Sequence, residues 1–333
     1  NAALSLASQG FKVYLVEREA QPGGMARKLR YSASGEDPQE YIRSLIGQVL
    51  EDSRIELLTE TEVVRSSGFV GNFKTVVSTK GQERTLEHGV IIVATGAKEY
   101  RGSEYLLGQD KRVVTQFELE QMVADRPQEV SAAKNVVMIQ CVGPEPERSG
   151  YCSRICCTVA MKNAIKIKEL NPNANVYVLF KDLRTYGFRE EHYTKAREKG
   201  VWFIRYDEGD KPQAEVSGER LLVSTRDGAL GEDIVIPADL LVLSEAVVPN
   251  DGNEALSMAL KLPLTREGFF LEAHIKLRPI DFSSEGMFVC GSTHYPKFVE
   301  ESIAQALATA ARAATILSKP YLEVGGAVAH VDP

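Results

Sequence analysis

The chain has 333 residues, 44% of them hydrophobic, and a formal charge of −7, which is the size and polarity of about two globular domains. The acidic balance leaves no electrostatic footprint for nucleic acid or an anionic membrane, and no stretch approaches the ~20 apolar residues of a membrane span. Five cysteines with no secretory signal and no dispersed framework point to a reducing, cytoplasmic setting.

The first residues, Ala2–Ala7, read as the middle of an amphipathic helix stopped at Gly10, and Lys12–Val16 reads as a strand. No methionine, strand or glycine loop precedes them. A doubly wound sheet carries its first strand at the centre, so residues upstream of Asn1 are expected to complete a first strand and phosphate loop missing from this chain. Asp37–Leu50 reads as a helix, Ile55–Thr59 as extended, and Phe73–Ser78 with Glu83–Glu87 as a hairpin across Lys80-Gly81. Gly89–Ala94 is a nearly continuous apolar strand, and Gln116–Ala124 a helix.

A second unit follows. Asn135–Cys141 reads as a strand, Arg154–Leu170 as a helix, Asn175–Phe180 as a strand, Glu190–Gly200 as a helix and Val201–Tyr206 as a strand. Leu221–Ser224 with Ile234–Pro237 reads as a hairpin, and Asp239–Leu243 as a buried strand. After a turn at Pro249–Gly252 come a short strand, Met287–Cys290, and a long helix, Phe298–Leu317. This alternation predicts an α/β fold of two dinucleotide-binding (Rossmann-like) domains. The last strand and helix have no place in the Asn135–Leu243 unit, so the second domain, 129–249, is expected to be inserted in the first, 1–128 and 250–320. Residues 321–333 read as a tail or the start of a further module.

Glu17 closes the first strand, where a carboxylate can accept the ribose hydroxyls of an adenosine; Gly23 and Gly24 then allow close backbone approach. A solvated glutamate before a turn is the plain alternative. Thr95 and Gly96 end a buried strand with small residues, as a bound flavin dinucleotide requires. At the matching position of the second unit stands Glu245, which would hinder a nucleotide. Gly291 and Ser292 precede the closing helix, whose N–H groups could hold phosphate or ring oxygens. Lys297 is a candidate neighbour of a flavin ring, His294 a weaker one, and a solvated loop lysine is the alternative.

Four cysteines, Cys141, Cys152, Cys156 and Cys157, fall within 17 residues, spaced C-x10-C-x3-C-C. They occupy the strand-to-helix turn where this fold normally carries phosphate-binding glycines. A helix would put Cys152 and Cys156 on one face, with Cys141 reaching across the loop and Cys157 about a hundred degrees away. A helix N-terminus favours thiolates, and Arg148 and Arg154 add positive charge. Soft thiolate ligands suit zinc or an iron–sulfur cluster. A redox disulfide and plain buried thiols are the other readings. Zinc has little use beside an electron path, which favours a 4Fe-4S cluster. Pro144, Glu145, Pro146 and Glu147 oppose NAD at this loop by removing donors and adding like charge. Asp182, Arg184, Tyr186 and Arg189 are candidates for lining the pocket.

The segments IQCVG, YCSRICCTVAMKNAIKIKE, VYVLFKDLRTYGF, FVCGSTHYPKFVEESIAQA and VVTQFELE together resemble the heterodisulfide reductase A-subunit family of iron–sulfur flavoproteins. The resemblance implies a thioredoxin-reductase-like fold, FAD, and a cluster in place of the pyridine-nucleotide site. It implies Cys141, Cys152, Cys156 and Cys157 as cluster ligands, and Glu17, Gly24, Thr95, Gly96, Gly291 and Ser292 as FAD contacts. It also implies Lys162 as a neighbour of the flavin ring. The expected role is electron transfer between FAD and the cluster within a heterodisulfide-reductase-like complex, with hydrogenase- or dehydrogenase-linked subunits as partners. The resemblance also admits electron bifurcation, a homodimer and membership of quinone-interacting complexes. The chain departs from the family in lacking ferredoxin-type cysteine runs, including the one expected after GNFKTVV. The alternatives are a stand-alone NAD(P)H-dependent flavin disulfide reductase and a cofactor-free structural subunit.

Overall fold

The computed structural model describes residues 1–33, 35–144 and 150–323. The readings placed on Glu145, Pro146, Glu147 and Arg148, and on the tail from residue 324, lie outside the described residues.

The strand Val13–Val16 pairs in parallel with Ile55–Leu58, and Ile91–Val93 pairs in parallel with Met287–Val289. The helix between the first two, Pro38–Glu51, starts where its sequence dictates. Asp37 caps it by accepting from the Gln39 and Glu40 amides, with Pro38 in the first turn. Ala7, Val49 and Ile55 join that helix, Ala2–Ser8 and the first strand pair in one core. Leu6 and Phe288 pack with Ala310 and Ala313 of the closing helix, Val299–Leu317.

Beside these lies an antiparallel sheet, Thr61–Phe69, Asn72–Thr79 and Gln82–His88. The expected hairpin is there, and Lys80 and Gly81 both carry positive φ (51° and 86°), as a two-residue turn matching strand twist requires. The sequence reading missed Thr61–Phe69. That strand is mostly polar and exposed, so it lacks the alternation that marks a half-buried strand.

The second unit is a five-stranded parallel sheet in the order Trp202–Arg205, Asn175–Phe180, Asn135–Val142, Leu240–Glu245, Val113–Thr115. Side chains alternate across the pleat. Val136 and Met138 meet Ala160, Met161, Ala164 and Ile167 of the helix Cys156–Leu170. Val137 and Ile139 meet Leu221, Val223 and Ile236 of an antiparallel meander, Gln213–Ser217, Arg220–Arg226 and Asp233–Ala238. Burial on both faces explains the nearly continuous apolar runs of these strands. The edge strand Val113–Thr115 and the helix Gln116–Asp125 lie ahead of residue 129, yet Val114, Leu119 and Val123 pack into this sheet's core.

The chain leaves the first unit along Ala97–Glu99 and returns along Val247–Pro249. These two segments pair antiparallel as a narrow ribbon. An unanticipated helix, Asn253–Leu260, follows the return. No helix among the described residues is long and apolar enough to cross a membrane.

Candidate functional site

The strand Asn135–Val142 delivers Cys141 to its exposed end with φ at 61°, a left-handed value that costs a side-chain-bearing residue about 1 kcal/mol or more. Gly143 then lets the turn close on the neighbouring strand. A Cβ there would sit 2.8 Å from the Ala246 Cβ, and the Ala246 amide donates to the Val142 carbonyl at 2.7 Å.

The helix begins at Cys156, two residues later than its sequence suggests, because Arg154 is itself left-handed (φ 65°). The one-face geometry expected of Cys152 and Cys156 is therefore not how they meet. Cys152 sits in the loop, its sulfur accepting from the Arg154 amide at 3.3 Å. Cys156 opens the helix, whose N-terminus has no side-chain cap among the described residues, and Cys157 is buried behind it, its thiol donating to the Asp182 carbonyl at 3.9 Å.

The thiols nevertheless influence one another. Burial pushes the Cys141 thiol up, and Cys152 pushes it further. Burial, then Cys157, Cys141 and Cys152, hold Cys156 well above the usual thiol range. Cys157 is pushed up to about 11, mostly by burial, against a lowering backbone bond from Arg184. Neighbouring thiols that resist ionising side by side are a suitable donor set for a cation that would neutralise them. Among the described residues no group of three or more His, Cys, Asp or Glu side chains is already arranged to hold a metal ion. The donor chemistry fits a thiolate-bound cluster, with final ligand geometry to be set on binding.

Of the neighbours expected around the thiols, Asp182 and Arg184 pair with each other at 2.8 Å, and Asp182 with Cys152 and Cys141 helps hold the Arg184 guanidinium protonated. Tyr186 accepts from Arg154 at 2.6 Å. Arg189 turns instead to Glu300 and lies over the Phe298 ring at 3.7 Å. Arg154 also donates to Glu301 at 2.9 Å, tying the cysteine loop to the closing helix.

Of the second group of candidates, Thr95, Gly96 and Ser292 come together at the ends of Ile91–Val93 and Met287–Val289. The Cys290 amide donates to the Val93 carbonyl, and the Thr95 and Thr293 hydroxyls are 2.7 Å apart. Gly96 (φ 76°) faces Ser292, whose hydroxyl lies 4.0 Å from where a Cβ would stand. Gly23 and Gly24 both carry positive φ, and Glu17 accepts from the Glu19 amide at 2.9 Å. The Gly291 amide is taken by Gln305 at 2.8 Å. Because the Gln305 oxygen is thus committed, its nitrogen faces His294 Nδ1 (2.8 Å), leaving Nε2–H to donate to Glu272 (2.9 Å). His294 is a braced, neutral ring whose pKa burial lowers.

Lys297 donates to the Gly291 and Tyr295 carbonyls, and burial, with Arg154 nearby, brings its ammonium down to about 8. Tyr295 and Phe269 pack edge-on against Tyr151 of the cysteine loop. The thiol group and the Gly291–Lys297 segment therefore share one aromatic wall. Lys162, the other lysine candidate, pairs with Glu120 beneath Tyr31.

Sequence reasoning missed the burial of Glu245. It is 7% exposed and neither carboxyl oxygen has a hydrogen-bond partner among the described residues. Burial, then Glu99 and Glu104, push it up to about 8. Its place at a strand end was legible; its isolation was not.

No family model matches the chain. It is 29% identical to the iron–sulfur A subunit of CoB–CoM heterodisulfide reductase from Methanocaldococcus jannaschii, over 99% of this chain and 64% of that protein. It is 30% identical to the corresponding protein of Methanopyrus kandleri over the same shares. It is 34% identical to the A subunit of ferredoxin:CoB-CoM heterodisulfide reductase from Methanosarcina acetivorans, over 70% of this chain and 34% of that one. The chain thus spans 64% of the length of the full-chain relatives. Among solved structures, thioredoxin reductases of Lactococcus lactis and T. acidophilum superpose with TM-scores of 0.62 and 0.61. They are 15% and 16% identical, over 95% of this chain and 94% and 92% of theirs. At that identity the likeness establishes the fold, which is thioredoxin-reductase-like as expected.

Proposed function

This chain belongs to the heterodisulfide reductase A-subunit family, and we propose that it is the flavin and iron–sulfur electron-transfer portion of an oxidoreductase component in a heterodisulfide-reductase-like complex. The observation that carries this reading is the crowding of Cys141, Cys152, Cys156 and Cys157 within 17 residues, with thiols that raise one another's pKa, beside Tyr151, which packs on Tyr295 of the Gly291–Lys297 segment. Cys141, Cys152, Cys156 and Cys157 would hold a 4Fe-4S cluster. Glu17, Gly23, Gly24, Thr95, Gly96, Gly291 and Ser292 would hold FAD. When bound, these groups supply exchange between paired and single electrons.

The chain's own residues prepare the site. The raised pKa values of Cys141, Cys156 and Cys157 mean that loading the cluster releases protons and is favoured as pH rises. Tyr151 of the cysteine loop packs on Phe269 and Tyr295, joining that loop to the Gly291–Lys297 segment. Arg154, bonded to Glu301, holds the cysteine loop to the closing helix. Lys297 offers a cation beside Gly291 below about pH 8. The alternative of an NAD(P)H-dependent flavin reductase is disfavoured by Glu245, a bulky buried side chain at the strand end where that reading needs a small residue.

Other subunits of a redox complex are the proposed partners, and electron bifurcation and a homodimer are compatible with the reading. The test is the visible spectrum and iron content of the full-length protein purified anaerobically. Flavin bands with bound iron are expected. Flavin without iron would overturn the cluster, and a colourless protein would leave a cofactor-free structural subunit.

A further inference from the structure

The two units are joined through a ribbon of three-residue strands, Ala97–Glu99 and Val247–Pro249. So narrow a connection is a hinge by default, and relative motion follows unless an interface opposes it. Residues 28–31 of the first unit oppose it on one side, as the Arg154–Glu301 and Arg189–Glu300 pairs do at the closing helix. The 28–31 segment reaches onto two helices of the second unit, Gln116–Asp125 and Cys156–Leu170.

The contacts are specific and mostly half-buried. The Lys28 carbonyl accepts from Gln121 (3.2 Å), and the Arg30 amide donates to Glu120 (3.2 Å). The Tyr31 carbonyl accepts from Lys162 (2.9 Å), and its hydroxyl donates to Asn163 (2.8 Å). The Tyr31 ring lies 4.4 Å from the Lys162 ammonium and packs on the second unit's core. Beneath it Lys162 and Glu120 pair, 9% and 1% exposed. Asn163 continues the network to Gln116 (2.7 Å), and Gln116 to Ser244 (3.0 Å).

The geometry points to an interdomain clamp: we propose that Tyr31, Glu120, Lys162 and Asn163 hold the cysteine-bearing helix and the 28–31 segment in one orientation, so that the units do not swing about the ribbon. A buried ion pair adds little net stability but is intolerant of partial disruption. A slipped interface that stayed out of water would leave Glu120 Oε2, Asn163 Oδ1 and one Lys162 N–H without the partners that residues 28–31 supply. Only the registered arrangement satisfies all of them. The clamp stands on these contacts alone and does not depend on the cofactor assignment.

The experiment is hydrogen exchange of the full-length protein, wild type against Tyr31→Ala and the double variant Glu120→Leu/Lys162→Met. Tyr31 lies outside every helix and strand, so its variant tests the clamp even if the double variant does not fold. Exchange about tenfold faster or more is expected at residues 28–31 and in both ribbon strands, the change produced in Tyr31→Ala by losing the hydroxyl bond to Asn163 and the ring's contact with the Lys162 ammonium, and in the double variant by losing charge-assisted bonds. Exchange at Val136–Ile139, in the central strand, should not change. Unchanged exchange in the ribbon would overturn the clamp. Equal acceleration in the central strand would overturn it too, by showing that the network serves the stability of the second unit instead.

Discussion

Replacing Glu245 by glutamine should flatten the pH dependence of stability. Its carboxyl is pushed from an ordinary 4.5 up to about 8, with burial as the largest cause and Glu99 and Glu104 adding repulsion that Arg101 offsets only in part. Above pH 4.5 the unfolded chain has released this proton while the folded chain keeps it. The folded state binds more protons, so stability falls as pH rises towards 8. The span of 3.5 units (8 less 4.5), at about 1.4 kcal/mol each, sets a ceiling of about 5 kcal/mol, of which about 4 falls between pH 5 and 8. That is a large share of the 5–15 kcal/mol typical of a domain. Guanidinium unfolding from pH 5 to 8, with wild type and Glu245→Gln side by side, reads it directly. The variant should lose most of the slope and be the more stable protein at pH 8. It should keep a shallower slope from Glu99, whose pKa burial also raises. Parallel curves for the two proteins would mean that Glu245 is ionised throughout, and the expectation would fail.

Other expectations follow from single contacts. Thr115 caps the helix Gln116–Asp125 in a reciprocal box with Glu118. Thr115→Ala should therefore cost about 1 kcal/mol in denaturant unfolding. Gly143→Ala would drive a Cβ to 2.8 Å from Ala246. It should cost about 1–3 kcal/mol and displace Cys141, read as unfolding midpoint and as lowered iron content.

The parallel strands were legible because burial on both faces leaves continuous apolar runs, and Lys80-Gly81 marked the turn of the antiparallel hairpin. The inserted arrangement was legible because Met287–Val289 and its helix follow the second unit yet match the first. The start of the cysteine helix was not. Nothing in SRICC announces that Arg154 turns left-handed, so the four-residue spacing suggested one helical face where the chain uses a loop. Helix Asn253–Leu260 and strand Gln213–Ser217 were missed because one is short and the other mostly exposed. Lys162 drew attention through the family resemblance, but its partner Glu120 lies 42 positions away and Tyr31 131 away. Pairings at that range are set by packing and have no local signature.

The functional reading stands or falls on whether the four clustered thiols are ligands of one iron–sulfur cluster. Iron content of the full-length protein purified anaerobically, compared between wild type and Cys156→Ala, decides it. The variant should lose about four irons per chain while keeping its flavin bands. Iron content equal in the two proteins would contradict the ligand set.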